Sequence, residues 1–220
     1  QPRVSEALSD LADAALSAAA AIARAAVPGQ ERVRWTVIAM GKTGARELNF
    51  ISDVDVMHVV APAEGPAGEH ADGDADAAET TRTDEDDLVA IGSALARELA
   101  RACSDRTSEG TLWQVDANLR PEGKDGPLVR TMDSYRSYYT QWAQSWEFQA
   151  LLKARWAAGD GQLGQAFEEM IAPWVWKAST REGFVEDSRA MRRRVVAHIP
   201  RGEADRNIKL GPGGLRDVEF

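Results

Sequence analysis

The stretch from Val37 to Val60, VIAMGKTGARELNFISDVDVMHVV, constrains the fold more than any other part of the chain. Two apolar, β-branched runs flank a short segment that carries two glycines and several polar side chains. Such runs favour strands, and the glycine-bearing segment favours a turn. The pattern therefore predicts strand, turn, a short helix near Ala45 to Asn49, and a second strand from Asp53 to Val60. Asp53 and Asp55 open that second strand. Successive strand side chains alternate faces, so residues two apart point the same way. Two hard oxygen ligands side by side suit Mg²⁺, which binds through one or two carboxylates plus substrate phosphates. Gly41-Lys42-Thr43-Gly44 offers backbone N–H groups and an ammonium just before them, a place where a phosphate can lie. Metal and phosphate together point to nucleotidyl or phosphoryl transfer.

At 220 residues the chain has ample length for a core. Its formal net charge of −9 argues against non-specific nucleic-acid binding, which needs a basic face. Cys103 is the single cysteine, so no internal disulfide forms and a reducing, cytoplasmic compartment is expected. The Ala-rich start contains Asp13 and Arg24 and lacks a sustained run of large apolar residues. It reads as a soluble helix rather than a membrane span or signal segment. The pattern still looks helical at Phe220, and the chain is expected to be a piece of a longer protein.

Taken in order, Val4 to Val27 predicts a helix with Leu8, Leu11, Ala15 and Ile22 on its apolar side, stopped by Pro28-Gly29. Val33 to Met40 predicts a strand. Ala61 to Asp87 is rich in Asp, Glu, Gly and Pro and reads as a flexible acidic loop, a solvated insertion rather than a metal site. Thr83 or Asp84 is expected to cap a helix that runs to Cys103, with Leu88, Ile91, Leu95 and Leu99 on one face. Thr111 to Ala117 predicts a strand, Arg120 to Gly126 a turn, and Leu128 to Arg130 an extended piece. From Met132 the signal reads as helical to the end, with helices at Met132–Trp142, Ser145–Arg155, Gly161–Ile171 and Thr180–His198 and another from Leu215. Trp142, Trp146, Trp156, Trp174 and Trp176 are expected to pack those helices. The organisation predicted is α+β: a core over 1–130 with a small mixed sheet, then a helical region over 131–220.

Asp116 ends the run Leu112-Trp113-Gln114-Val115. Alone it reads as a turn-former or cap. With Asp53 and Asp55 it could complete a three-carboxylate site for two metal ions, which clamp the attacking and leaving oxygens of an in-line displacement. Neighbouring carboxylates without a cation repel each other, so a cation belongs to such a site. His58, His70 and His198 show no ligand spacing, and Cys103 reads as a small buried apolar residue.

These residues carry a resemblance. Gly-Lys, then Asp-x-Asp, then a later strand Asp resembles the nucleotidyltransferase superfamily of DNA polymerase β. Four blocks in order, MGKTGARELNFISDVDV, VDANLRPEGKDGPLVR, WEFQALLKAR and NIKLGPGGLRDVEF, resemble the bifunctional glutamine-synthetase adenylyltransferase/adenylyl-removing enzyme family, and they span Met40 to Phe220. Members carry two nucleotidyltransferase halves, one attaching AMP to a tyrosine of glutamine synthetase and one removing it by phosphorolysis with release of ADP. Glu47-Leu48-Asn49-Phe50 and Asn207-Ile208-Lys209-Leu210-Gly211 are similar to the N-terminal, adenylyl-removing half.

The resemblance implies a polymerase-β-like nucleotidyltransferase fold and Mg²⁺, two ions, held by Asp53, Asp55 and Asp116. It implies phosphate and ADP, or ATP, as nucleotide-level substrates, cradled by Gly41, Lys42 and Gly44. Arg120, Lys153, Arg155 and Lys209 are candidate anion ligands. Glutamine synthetase is the implied protein substrate and the signal protein P-II an implied partner. The chain departs from many members at Asn118, where they have Arg, and at Trp156, where they have Pro; the first removes a possible phosphate ligand. Simpler roles stand beside these. Lys153 and Arg155 could be solvated or paired with Glu147 or Glu168, Lys209 could sit in an ordinary loop, and Lys124 reads as surface. Asp217 and Glu219 suit a helix start, and Arg192-Arg193-Arg194 reads as a solvated helix face. Three other functions compete: ATP-dependent adenylylation by the same fold, a non-catalytic module that binds glutamine synthetase or P-II, and a DxD glycosyltransferase. The Gly-Lys turn and third Asp argue against the glycosyltransferase.

Overall fold

The computed structural model describes residues 2–63, 75–178, 180, 182–200, 202–203 and 206–219, with side chains in the helix from Ala75 described from Asp84 on. Helix α1 (Pro2–Ala26) leads to strand β1 (Val33–Ala39), the short helix α2 (Gly41–Gly44) and strand β2 (Val54–Pro62). Helix α3 (Ala75–Ser104) is followed by the short strands β3 (Val115–Asp116) and β4 (Val129–Thr131). Then come α4 (Met132–Gln141), α5 (Ser145–Leu151), β5 (Arg155–Gly159), α6 (Gly161–Ala178), α7 (Phe184–Ala197) and α8 (Leu215–Glu219).

The five strands form one mixed sheet. β1 is central and pairs antiparallel with both β2 and β5. The other edge of β2 is shared by two parallel partners, β3 against Val54 and Asp55 and β4 against His58 to Val60. Both faces of the sheet are covered. Val33, Trp35, Val37 and Val56 join a core with Leu16 of α1 and Leu95 and Leu99 of α3. Ile38, Met57 and Val59 join a second core with Tyr135, Phe148 and Phe167 from α4, α5 and α6. This double cover explains why β1 and β2 read as continuous apolar runs.

Several expectations are corrected here. In α1, Leu11 and Ile22 are 55% and 53% exposed, while Ala12, Leu16, Ala19, Ala20 and Ala23 are buried. Apart from Leu16 the inward stripe is made of small residues, which let α1 lie close to α3. The helix placed near Ala45 to Asn49 lies instead at Gly41–Gly44. α3 begins at Ala75 and runs through Thr83 and Asp84, so neither caps it. Of the acidic loop, residues 64–74 lie outside the described residues.

The strand over Thr111 to Ala117 shrinks to Val115–Asp116 because the end of α3 takes its hydrogen bonds. The N–H groups of Leu112 and Trp113 both donate to the Cys103 carbonyl, and Ser104 Oγ bonds Trp113 O and Val115 N. The chain after Met132 is not wholly helical: α5 ends at Leu151, and Arg155–Gly159 is strand β5 on the central strand. Trp142 and Trp176 are 69% and 73% exposed, so most of their surface lies outside the helix packing expected for them. Trp156 lies on β5, with its ring against Gly161 and Gly164 of α6.

Candidate functional site

β2 carries the site. Val54 and Val56 are buried, which fixes the strand's inward set and turns Asp55 to the other face. The parallel pairing with β3 places Asp116 directly beside Asp55 in register, and parallel neighbours share a face. Val54 N–H donates to Gln114 O at 2.9 Å, which locks that register. Asp53 sits one residue before the strand and is exposed. The Asp55 carboxyl is pushed up to about 6, first by burial, then by the negative charges of Asp116 and Asp53. Lys209 and Arg216 act in the opposite sense on it. Among the described residues the three carboxylates do not close into a ready metal-binding group. One Asp116 oxygen accepts the Asn118 N–H at 2.7 Å, so part of its capacity is used within its own turn.

Gly41 makes room for the pair. Its φ is +53°, and a Cβ there would lie 2.3 Å from Asp55 Oδ2. Met40 N–H donates to Asp55 O at 2.8 Å, which seats the turn on the carboxylate strand. Gly44 serves packing: a Cβ there would lie 1.9 Å from Lys153 O. Lys42 Nζ donates to Asn49 Oδ1 at 3.3 Å.

The remaining sequence-predicted cations divide sharply. Arg120 is 8% exposed and donates to the carbonyls of Ala117, Gly126 and Pro127, so it ties the turn after β3 together. Arg155 donates to the carbonyls of Thr43 and Gly44 and pairs with Asp13 at 2.9 Å, fastening β5 to α2 and α1. Lys153 pairs with Glu47 at 3.4 Å, not with Glu147 or Glu168. Lys209 is exposed, and its ammonium makes no hydrogen bond or ion pair among the described residues.

Two features were missed in the sequence. Arg192 is not a solvated face residue: its side chain is 11% exposed and grips the turn that carries Lys209. Glu147 is buried, caps α5 through the Gln144 N–H and accepts from Tyr138 Oη, which makes the WEF block a structural element. The spacing of Gln144 and Glu147 is that of a capping box, a signal present in the sequence.

A small mixed sheet with helices on both faces is the α+β architecture of a nucleotidyltransferase-like domain. The chain belongs to the glutamate-ammonia ligase adenylyltransferase family, whose profile matches residues 2–170. A profile for PII-uridylyltransferase matches residues 189–220. The chain is 52% identical, over 223 residues and its whole length, to a Bifidobacterium longum (strain DJO10A) bifunctional glutamine synthetase adenylyltransferase/adenylyl-removing enzyme, of which it covers 19%. It is 53% identical to the Streptomyces avermitilis enzyme of that name, with 97% of this chain and 20% of that protein covered. The Mycolicibacterium smegmatis enzyme is 51% identical, with 99% and 20% covered. The chain thus spans about a fifth of the curated relatives it matches. Among the described residues no helix is long and apolar enough to cross a membrane.

Proposed function

We infer that this chain carries the adenylyl-removing activity: Mg²⁺-dependent phosphorolysis of adenylylated tyrosine on glutamine synthetase, with release of ADP. The observation that carries it is the Asp55–Asp116 pair in register on β2 and β3, with Asp53 in electrostatic range and Gly41 leaving Asp55 room. The donor set fits a hard divalent cation: carboxylate oxygens, crowded enough that Asp55 resists losing its proton. Bound there, Mg²⁺ supplies charge neutralisation at the phosphoryl oxygens and the leaving oxygen. Asp53, Asp55 and Asp116 are the ligands we assign.

Inorganic phosphate attacks the α-phosphorus, the phosphorus–tyrosine oxygen bond breaks, and the phenolate leaves. A phenol has a pKa of about 10, so it departs without a strong general acid. The residues' task is then to position and to balance charge. Lys209, whose ammonium has no partner among the described residues, is the anion ligand we assign, and Lys42, held there by a neutral amide, is the second. Gly41 shapes the carboxylate side. Arg120 and Arg155 are assigned to the scaffold, since carbonyls and Asp13 take their donors. The choice of direction rests on the ELNF and NIKLG segments, which resemble the removing half. P-II is the regulator this reading implies.

A paired assay tests it. One tube holds adenylylated glutamine synthetase, Mg²⁺ and phosphate, and ADP is followed. The other holds unmodified synthetase, Mg²⁺ and ATP, and pyrophosphate is followed. Phosphate-dependent ADP is the expected result. Pyrophosphate with modified synthetase reverses the direction assigned. Silence in both, with synthetase or P-II bound, makes the chain a regulatory module.

A further inference from the structure

The segment between α2 and β2 is pinned at both ends beside the carboxylates. At its start, Glu47 N–H donates to Lys42 O at 2.8 Å and Lys42 Nζ to Asn49 Oδ1 at 3.3 Å, so it is tied to the turn whose Gly41 lies against Asp55. Leu48 is fully buried, with its N–H bonded to Ser9 Oγ of α1. At its end, Val54 is buried and bonded to Gln114 O on the carboxylate strand itself. Between these anchors stand Phe50 and Ile51, 79% and 96% exposed. Chain length alone keeps the Ile51 Cα within about 7 Å of the Asp53 Cα, and the Phe50 Cα within about 11 Å. Phe50, Ile51 and Ser52 make no hydrogen bond among the described residues. Lys153 pairs with Glu47 at 3.4 Å, which brings the turn after α5 against the same segment, and Leu152 in that turn is also largely exposed.

The fold thus buries the apolar residue before this pair and the one after it, yet leaves both large side chains in water at the rim of the site. The reach of the substrate decides what meets that rim. A tyrosine side chain is only one ring long. Its adenylylated oxygen can come to Asp55 only if the backbone that bears it descends to the edge of the site, and next to Asp53 that edge is Phe50-Ile51. An apolar pair whose own N–H and C=O groups are unpaired matches a polypeptide, which brings apolar side chains and main-chain partners together. A nucleotide brings one flat ring and no backbone amides.

We propose that Phe50 and Ile51 form the docking rim for the protein that carries the adenylyl-tyrosine, and contact its chain on either side of the modified residue. This rests on the phosphorolysis reading for the identity of that protein, but its binding test needs no turnover. The pair selects a protein substrate and takes no part in the chemistry. Its loss therefore acts on the affinity for the protein and leaves the metal and nucleotide alone.

The test is the affinity of the full chain for immobilised adenylylated glutamine synthetase, by surface plasmon resonance in EDTA without phosphate. Wild type is compared with Phe50→Ser, Ile51→Ser, Phe50→Leu and, as a control that removes an exposed apolar side chain of α7, Val185→Ser. Near-ultraviolet circular dichroism confirms the fold of each. Phe50→Ser and Ile51→Ser should each weaken binding about tenfold, as truncation of an apolar interface anchor does. Phe50→Leu should recover most of the loss, and Val185→Ser should bind as wild type. In turnover, KM for adenylylated synthetase should rise by the same factor while kcat at saturation is kept, and calorimetric ADP affinity should not move. Unchanged binding in both serine variants overturns the proposal, as does an equal loss in Val185→Ser or wild type that does not bind synthetase. Weakened ADP binding in Phe50→Ser makes the ring a nucleobase platform instead. Wild type that self-associates, with the serine variants monomeric by sedimentation, makes the pair a contact between copies instead. Turnover separates the two readings. Wild type that binds synthetase through Phe50 and Ile51 but releases no ADP sinks the assigned reaction and leaves the docking rim. Phosphate-dependent ADP with a wild-type KM in both serine variants sinks the docking rim alone.

Discussion

Replacing Asp55 with Asn should make the metal-free protein more stable while removing its response to Mg²⁺. The folded environment lifts the Asp55 carboxyl from 3.8 to about 6, by burial and by the charges of Asp116 and Asp53. Between those two pH values the folded state holds a proton that the unfolded state has lost. Stability therefore falls as pH rises through that window, and the loss is complete above it. The interval corresponds to about 3 kcal/mol at about 1.4 kcal/mol per pH unit. Asp55 retains partial contact with solvent, which screens part of this, so a gain of about 1–2 kcal/mol is expected for the Asn variant. For a chain of this length that is a rise in Tm of roughly 2–8 °C. Melts followed by circular dichroism in EDTA should show the two proteins converging near pH 4 and separating to a constant gap above pH 7. Added Mg²⁺ should raise the Tm of wild type and leave the variant where it was. An Asn variant that melts below wild type at pH 7.5 in EDTA refutes the argument, as does a gap that ignores pH.

His58 gives the opposite slope. Burial first, and Arg120 second, lower its pKa from 6.5 to about 3, so its stabilisation is whole above pH 6.5 and fades as pH falls toward 3; His58→Gln should flatten the urea-unfolding stability between pH 6.5 and 4. Gly41→Ala should abolish Mg²⁺-dependent stabilisation, because its Cβ would lie 2.3 Å from Asp55 Oδ2 on a backbone at φ +53°; a normal Mg²⁺ titration in the variant counts against the site. Arg155→Ala should cost about 2–3 kcal/mol in urea unfolding, the size of a lost set of charged hydrogen bonds, with phosphate affinity unchanged. Weakened phosphate binding there returns Arg155 to the list of anion ligands.

The carboxylate strand was legible because both sheet faces are covered. That cover makes β1 and β2 apolar throughout, so Asp53 and Asp55 stand out against them. The long helices were legible from periodicity, except for the buried stripe of α1, where four alanines and Leu16, not Leu11 and Ile22, face inward. β5 was not legible. Arg155-Trp156-Ala157-Ala158-Gly159 has no alternation and contains helix-forming alanines; its strand state comes from pairing with β1. The start of α3 was hidden by acidic composition, and the shortness of β3 by bonds from the end of α3. Of the site, the residue types and the order of Asp53, Asp55 and Asp116 were readable. The roles of Arg120, Arg155 and Arg192 were not, since each depends on carbonyls brought in by tertiary folding.

That last contrast follows from the chemistry of the two cations. In the three blocks from Met40 to Arg155, every arginine is engaged: Arg46 with Asp10, Arg120 with three carbonyls, Arg130 with Glu122 and Ser134, Arg155 with three carbonyls and Asp13. A planar fork with several donors ties irregular backbone together, and once tied it has little left for a ligand. The lysines are held loosely: Lys42 by an amide oxygen at 3.3 Å, Lys153 by one exposed carboxylate at 3.4 Å, and Lys209 by no side chain among the described residues. Under the proposed phosphorolysis, a phosphate that enters, reacts and leaves as ADP is better served by point charges on flexible stems than by forks already closed on protein. On the proposed reading, Arg120 and Arg155 belong to the scaffold that seats Asp55 and Asp116, and Lys42 and Lys209 are the cations left for a phosphate.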